Sequence, residues 1–96
     1  MSAVRFHPAA AAELTAAARY YEGQQTGLGK RFLMSVQDAV NRIVANPGLY
    51  QIVEPNVRRC LTRTFPFGVL FRRRPGKIVI IAVMHLHRDP GYWKNR

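Results

Sequence analysis

Acidic residues are scarce in this sequence: five Asp and Glu stand against 15 Lys and Arg, which gives a formal net charge of +10 at pH 7. The imbalance is greatest in the second half, because the chain from Pro55 onward carries ten basic residues and one acid, Asp89. Such a charge favours association with an acidic partner, whether nucleic acid, an anionic membrane or an acidic protein. We therefore expect any electrostatic function to lie in the C-terminal half.

Cysteine and long apolar runs are also nearly missing. Cys60 is the only cysteine, so no internal disulfide can form, which is typical of the reducing cytoplasm. We interpret it as a packing residue rather than a nucleophile. No apolar run approaches the roughly 20 residues that a membrane-spanning helix requires, and the N-terminal residues lack the pattern of a secretory signal. A cytoplasmic protein without membrane contact is therefore expected.

The sequence does contain enough apolar residues for one core. Hydrophobic residues make up 48% of its 96 positions, and this length favours one domain covering residues 1–96. The unbroken apolar run Ile78–Met84 is mostly β-branched and has the length of a strand. Because both of its faces are apolar, we expect a central strand with other elements packed on both sides. The polar and aromatic segment that follows, His85–Trp93, is a good position for a site, since a rigid strand ends there.

Helical spacing marks two segments before that strand. A short edge strand is predicted over Ala3–Phe6. Pro8 suits the first position of a helix, and the alanine-rich segment Ala9–Tyr21 continues it until the glycines of Gly23–Gly29 end it. A second helix with one apolar stripe is predicted over Leu28–Ala45. Two helices with a short link indicate an antiparallel helical hairpin.

The remainder of the chain has the character of β-structure. Short strands are predicted over Tyr50–Val53 and Arg58–Thr64, and longer ones over Phe67–Arg73 and Ile78–Leu86. The dipeptide Pro75–Gly76 suits a type II turn and joins the last two strands as an antiparallel hairpin. The predicted fold class is therefore α+β: an N-terminal strand, an antiparallel helical hairpin, then a three- to four-stranded antiparallel sheet.

Short segments along nearly the whole chain resemble toxins of the RelE/ParE superfamily, and their order is specific although no single segment is. They are FHPAAAAEL (Phe6–Leu14), YYE (Tyr20–Glu22), GLGKRF (Gly27–Phe32), NP (Asn46–Pro47), the pair Arg58–Arg59, FPFGVLFR (Phe65–Arg72) and AVMHLHRDPGYW (Ala82–Trp93). The resemblance implies a helical hairpin packed on an antiparallel sheet. It also implies the toxin half of a type II toxin–antitoxin pair, in which a small, partly disordered antitoxin wraps the toxin in a hetero-oligomer.

Members of this superfamily divide by target: RelE-like toxins cleave mRNA on the ribosome, and ParE-like toxins poison DNA gyrase. The segments GLGKRF and HRDPGYW resemble the ParE-like, plasmid-stabilisation branch more closely. The RelE-like catalytic set is rich in lysine, whereas this chain has only Lys30, Lys77 and Lys94. We therefore expect a toxin that binds gyrase and performs no chemistry of its own. The alternatives are a RelE-like ribosome-dependent mRNA endoribonuclease and a non-toxic basic nucleic-acid-binding module.

His85 and His87 are two apart, and on a strand this spacing places both side chains on one face. Imidazole titrates near ~6.5, which suits a general acid or base, but the favoured interpretation is that backbone or packing contacts hold both rings. Only Asp89 accompanies them as a further metal-ligating residue type, so neither a metal nor a cofactor is expected. In the endoribonuclease alternative the catalytic set is His85, His87, Arg58, Arg59, Arg88 and Tyr92.

The residues expected to bind the target carry guanidinium or aromatic groups: Arg58, Arg59, Arg63, Arg72, Arg88, Tyr92 and Trp93. Guanidinium groups suit bidentate contact with phosphate or carboxylate, and the first four are expected to line one concave face of the sheet. The alternative is a solvated basic surface, which is what we expect of Arg73 and Arg74. The two aromatic side chains suit stacking on a base, although for Trp93 packing against the core is favoured.

Overall fold

The computed structural model describes residues 3–96. Its elements are β1 (Ala3–Phe6), α1 (Pro8–Gln24), α2 (Leu28–Ala45), a 3-10 turn (Pro47–Leu49), β2 (Gln51–Glu54), β3 (Val57–Leu61), β4 (Phe67–Arg74) and β5 (Lys77–His85). The strands form one five-stranded sheet in the order β1-β5-β4-β3-β2. The predicted α+β class and the edge position of β1 are confirmed, with four strands after the helices. The parallel pairing of β1 with β5 was not predicted.

β5 has the interior position that its apolar sequence predicted, with β1 on one side and β4 on the other. Ile81 is an extra residue in the pairing of β5 with β4, because Leu70 faces Ala82 while Phe71 faces Ile80. This β-bulge places Ile81 and Ala82 in the same core cluster, whereas Ile80 belongs to the other one. The run is apolar throughout because both faces of the strand are covered.

The sheet separates two apolar clusters. On the side we call the helix face, α1 and α2 cover a cluster whose buried members are Ala10, Phe32, Val36, Ala39, Val40, Ile43, Cys60, Phe67, Val69, Phe71, Ile78, Ile80 and Val83. On the opposite side, the tail face, the smaller cluster consists of Val57, Leu70, Ile81, Ala82, Met84 and Trp93. Its last member belongs to residues 86–96, which we call the tail. The tail therefore supplies part of the core, as the helical hairpin does on the other side.

The two helices approach each other closely at Gly29. A Cβ at Gly29 would lie 2.6 Å from the backbone oxygen of Ala18, so only glycine fits there. The carboxylate of Glu22 accepts hydrogen bonds of 3.0 and 3.1 Å from the N–H groups of Gly27 and Gly29, which satisfies open donors at the start of α2. α1 continues through Gly23, contrary to prediction, because glycine costs only about 1 kcal/mol in a helix and the left-handed Gly27, with φ +88°, makes the turn instead.

The strand connections differ from prediction in one place. β3 ends at Leu61 rather than Thr64, because the hydroxyl of Thr62 donates to the carbonyl oxygens of Phe65 and Phe67 and closes a tight loop. The turn between β4 and β5 is as predicted, since Gly76 has the positive φ, +70°, that a type II turn requires. Within residues 3–96 no helix is long and apolar enough to cross a membrane.

Candidate functional site

The tail begins where β5 ends and folds back over the tail face. Trp93 is its apolar anchor: this side chain is only 3% exposed and packs in the cluster that contains Leu70 and Met84. The carboxylate of Asp89 accepts the backbone N–H of Gly91 at 3.1 Å and shapes the turn before the anchor. Trp93 therefore packs as a core residue and offers little surface to a partner in this conformation, whereas Arg88 stays exposed at 53% of its side chain.

Glu13 of α1 ties the tail to the core, although sequence analysis assigned it no role. Its carboxylate accepts hydrogen bonds from Arg96 Nη1 at 2.9 Å and Nη2 at 3.1 Å, and from Arg88 at 3.4 Å. It also accepts the backbone N–H of Val83 at 3.0 Å. Since the pairing with β1 ends at Ile80, this carboxylate takes the place of a strand partner for the Val83 N–H on the β1 side of β5. The sequence did contain a signal for this role. Glu13 is an acidic residue on the buried stripe of α1, between the buried Ala10 and the partly buried Ala17.

Tyr92 lies between the two arginines that Glu13 binds. The guanidinium of Arg88 is 3.7 Å from the centroid of the Tyr92 ring, and that of Arg96 is 5.0 Å away, which is the geometry of cation–π contacts. Burial, and then the neighbouring Glu13 carboxylate, raise the pKa of Tyr92 well above its usual value. The phenol therefore stays neutral, and it suits stacking better than proton transfer near pH 7.

The prediction that four arginines line one face of the sheet is wrong. Arg58 alternates with Arg59 along β3, so these neighbours lie on opposite faces. Arg58 shares the helix face with Cys60, and Arg63 lies in the loop after β3, because that strand ends earlier than predicted. Only Arg59 and Arg72 lie on the tail face. Their roles as target contacts stay predictions.

Two of these arginines make contacts typical of structural residues. Arg58 Nη1 donates to the carbonyl oxygens of Tyr50 at 2.8 Å and Gly48 at 3.2 Å. Arg63 pairs with Asp38 of α2 at 3.5 Å. The first contact joins β3 to the segment between α2 and β2, and the second joins the loop after β3 to α2. Both guanidinium groups are therefore partly occupied on the side of the molecule away from the tail.

Arg59 packs across Gly68 on the tail face, because glycine leaves room there for the Arg59 side chain. A Cβ at Gly68 would lie 2.9 and 3.0 Å from Arg59 Cδ and Cγ, so the stem of Arg59 crosses this glycine. The guanidinium donates from Nη2 to Gln51 at 3.2 Å. It borders a cavity of about 250 Å³ between β2, β3 and the tail, which Trp93 and Lys94 also line.

His85 and His87 contact each other rather than the arginines of the tail. β5 ends at His85, so His87 lies in the following turn and not on the strand as predicted, yet their ring centroids are 5.2 Å apart. His85 Nδ1 accepts the backbone N–H of His87 at 3.1 Å, and its ring packs edge-on against Phe67. These contacts agree with a structural role for His85. Within residues 3–96, no group of three or more His, Cys, Asp or Glu is placed to hold a metal ion.

The sequence matches, over residues 4–90, the family described as ParE toxin of type II toxin–antitoxin system, parDE. The chain belongs to the ParE toxin family. A solved structure described as the chromosomal ParDE TA system from P. aeruginosa is 27% identical, with a TM-score of 0.68 over 91% of this chain and 98% of that chain. No curated protein sequence matches the chain.

Membership of the ParE family confirms the predicted resemblance and makes the chain the toxin component of a type II toxin–antitoxin system. The matched segment contains both helices, all of β2–β5, β1 apart from Ala3, and the start of the tail with Arg88. Tyr92, Trp93 and Arg96 follow it. The end of the tail that Glu13 holds in place therefore lies beyond the segment matched to other ParE toxins.

Proposed function

We propose that this ParE-family toxin arrests growth in the cytoplasm by binding and poisoning DNA gyrase, and that a cognate antitoxin neutralises it. The observation that carries the proposal is the position of Arg88. Its exposed guanidinium is fixed from two sides, by the Glu13 carboxylate at 3.4 Å and by the Tyr92 ring at 3.7 Å. A charged group already held in one place loses little conformational freedom when a partner binds, so it suits a binding surface.

The same region is poorly equipped for RNA cleavage. An endoribonuclease needs a proton acceptor within reach of the groups that stabilise charge on the phosphate. His85 Nδ1 already accepts a hydrogen bond from the backbone of His87. The Glu13 carboxylate is occupied by three different residues, and the Tyr92 phenol is held neutral by its raised pKa. The groups beside Arg88 therefore favour binding over acid–base catalysis.

The outer face of the helical hairpin is the surface that we propose for the antitoxin. Tyr20 and Met34 are 63% and 62% exposed there, and Leu33 is 43% exposed. These apolar side chains on the two helices are open to contact with another protein. Acidic residues of the antitoxin would add contacts to the basic C-terminal half, so the complex should weaken as the salt concentration rises.

The test is induced expression in a bacterial host, with and without the antitoxin encoded beside the toxin gene. We expect arrest by the toxin alone, rescue by the antitoxin, induction of DNA-damage signalling and intact translated mRNA. Arg88→Gln should reduce toxicity while remaining folded by circular dichroism. The matched control Arg31→Gln, at an exposed position of α2, should remain toxic. Rapid cleavage of translated mRNA without DNA damage would instead establish the endoribonuclease, and normal growth at high soluble expression would refute toxicity.

A further inference from the structure

The five Asp and Glu side chains are all engaged by the chain itself. Glu22 and Asp89 accept backbone N–H groups. Glu13, Asp38 and Glu54 form the ion pairs within residues 3–96, and the cations in those pairs are Arg42, Arg63, Arg88, Lys94 and Arg96. The excess positive charge is therefore carried by basic residues outside these pairs, and their distribution over the surface is uneven.

Four of these residues gather near the turn between β4 and β5, on the tail face but outside the apolar cluster that contains Trp93. We call this group the hairpin patch: Arg5, Arg72, Arg74 and Lys77. In the sheet register, Lys77 of β5 lies opposite Arg74 of β4 and beside Ala3 of β1, and Val79 lies opposite Arg72 and beside Arg5. Because neighbouring strands are about 4.8 Å apart, the patch spans roughly 10 Å across β1, β5 and β4.

The hairpin patch is electrostatically unfavourable within the folded chain. Lys77 and Arg74 are a directly opposed pair of like charges, an arrangement that destabilises a sheet. None of the four patch residues forms an ion pair in the described chain, residues 3–96. Arg5 lies on the edge strand β1, where a charged side chain protects the sheet edge from pairing with another chain. The other three patch residues lie on the interior strands β4 and β5, so edge protection does not explain them. A local conflict that nothing in the fold offsets is typical of a functional surface.

We propose that the hairpin patch binds the phosphate backbone of duplex DNA. The DNA that it contacts is the DNA held by gyrase, and this second part rests on the proposed function. Interfaces with proteins have an apolar core inside a polar rim, whereas the apolar side chains described among the patch residues are the half-buried Val79 and the small, exposed Ala3. Interfaces with DNA are more polar and strongly positive. A DNA strand carries one phosphate every ~3.4 Å along the helix axis, so a patch about 10 Å wide faces about three phosphates.

The test compares two triple variants by fluorescence anisotropy on a labelled DNA duplex over a range of salt concentrations. Arg5→Gln/Arg74→Gln/Lys77→Gln removes three exposed patch cations and keeps Arg72, which donates to the backbone of Arg96. The matched control, Arg19→Gln/Lys30→Gln/Arg31→Gln, removes three exposed cations from the helices, so both variants lose the same charge. We expect the negative slope of log K against log salt to become shallower by about 2 to 3 in the patch variant, because each lost phosphate contact removes about 0.9 from its magnitude. The control should retain the wild-type slope.

Equal losses in the two variants, or no binding of duplex DNA by the wild type, would overturn the proposal. Poly-glutamate is the probe for an acidic protein partner. If the patch variant loses poly-glutamate binding but binds DNA as the wild type does, the partner is an acidic protein instead. Gyrase binding is measured separately, with purified subunits and no DNA. If the wild type binds DNA through the patch but does not bind gyrase, the DNA surface stands and the proposed target is wrong.

Discussion

The carboxylate of Glu13 binds the guanidinium of Arg96 through hydrogen bonds of 2.9 and 3.1 Å, although the two residues are 83 positions apart in the chain. Both side chains are largely buried, at 12% and 16% exposure. Arg96 also donates to the carbonyl oxygen of Ile81 at 3.1 Å. This pair fixes the end of the tail against α1 and β5, and through the tail it fixes the position of Arg88 and Tyr92.

Removing the charge of Glu13 is predicted to loosen the tail. Glu13→Gln should lower the free energy of unfolding by about 2–4 kcal/mol, because it leaves the partly buried Arg96 without its partner. Urea denaturation measures the loss. Fluorescence of Trp93, the only tryptophan, reports on the tail directly and should shift to longer wavelength in the variant.

The control for this prediction is Glu54→Gln, which makes the same chemical change in the exposed ion pair with Lys94. Exposed pairs contribute little to stability, so this variant should unfold at nearly the wild-type urea concentration. Equal destabilisation by both substitutions would contradict the role assigned to Glu13.

The same substitution at two glycines is predicted to have opposite effects. Gly29→Ala should destabilise the toxin by about 1–3 kcal/mol or more, because its Cβ would lie 2.6 Å from the Ala18 backbone oxygen. Gly23→Ala should stabilise it by up to about 1 kcal/mol, because the helical Gly23 has no atom within 4 Å of its added Cβ. Thermal unfolding followed by circular dichroism measures both, and a stabilising Gly29→Ala would refute the close helix packing.

Tyr92 is predicted to make the toxin less stable at alkaline pH. Its pKa is raised in the folded state, chiefly by burial, whereas a tyrosine in the unfolded chain ionises near ~10. Above that pH the unfolded state loses its proton first, so the stability that is present below pH ~10 declines as the pH rises further. Urea denaturation at about pH 9 and pH 11 should therefore show a smaller loss for Tyr92→Phe than for the wild type.

The exposed Tyr20 provides the control variant Tyr20→Phe for that experiment. If Tyr20→Phe reduces the alkaline loss as much as Tyr92→Phe does, the burial of Tyr92 is not the cause. At pH 7, Tyr92→Phe should leave stability almost unchanged, because within residues 3–96 the buried phenol oxygen has no hydrogen-bond partner to lose.

Local patterns predicted the helices and turns well, and non-local contacts were missed. The second helix, Leu28–Ala45, and the turn at Pro75–Gly76 follow from periodicity and turn chemistry, which neighbouring residues determine. Nothing within Ala3–Phe6 identifies β5 as its parallel partner, and nothing beside Glu13 identifies Arg96. Helices and turns are determined by residues close together in the sequence, so their patterns can be recognised locally. Sheet pairing and buried ion pairs join residues that are far apart in the sequence, so they depend on the whole fold.

The site was predicted in part for the same reason. The tail was correctly placed after the apolar strand, and Arg88 and Tyr92 do lie together there. Grouping Arg58 with Arg59 overlooked the alternation of side chains along a strand, a rule that the sequence already allowed. The hairpin patch was missed because its members come from three strands, and Arg74 was expected to be merely solvated.

Both histidines of the tail region are predicted to be dispensable for toxicity. His85→Gln and His87→Gln should each arrest growth as the wild type does, because His85 is held by backbone and ring contacts rather than placed beside Arg88. Folding is checked by circular dichroism and arrest by colony counts after induction. An endoribonuclease that used either imidazole would lose about 100-fold or more in rate, so loss of toxicity in a folded variant would favour that alternative.

Purified toxin, gyrase and supercoiled plasmid DNA give the most direct test of gyrase poisoning. The toxin is incubated with both, and the reaction is stopped with detergent and protease before electrophoresis. Gyrase poisoning predicts gyrase-dependent linear DNA that increases with toxin concentration, disappears when antitoxin is added, and falls when Arg88 is replaced by Gln. Plasmid that stays uncleaved at every toxin concentration, together with ribosome-dependent cleavage of mRNA by the same preparation, would contradict it.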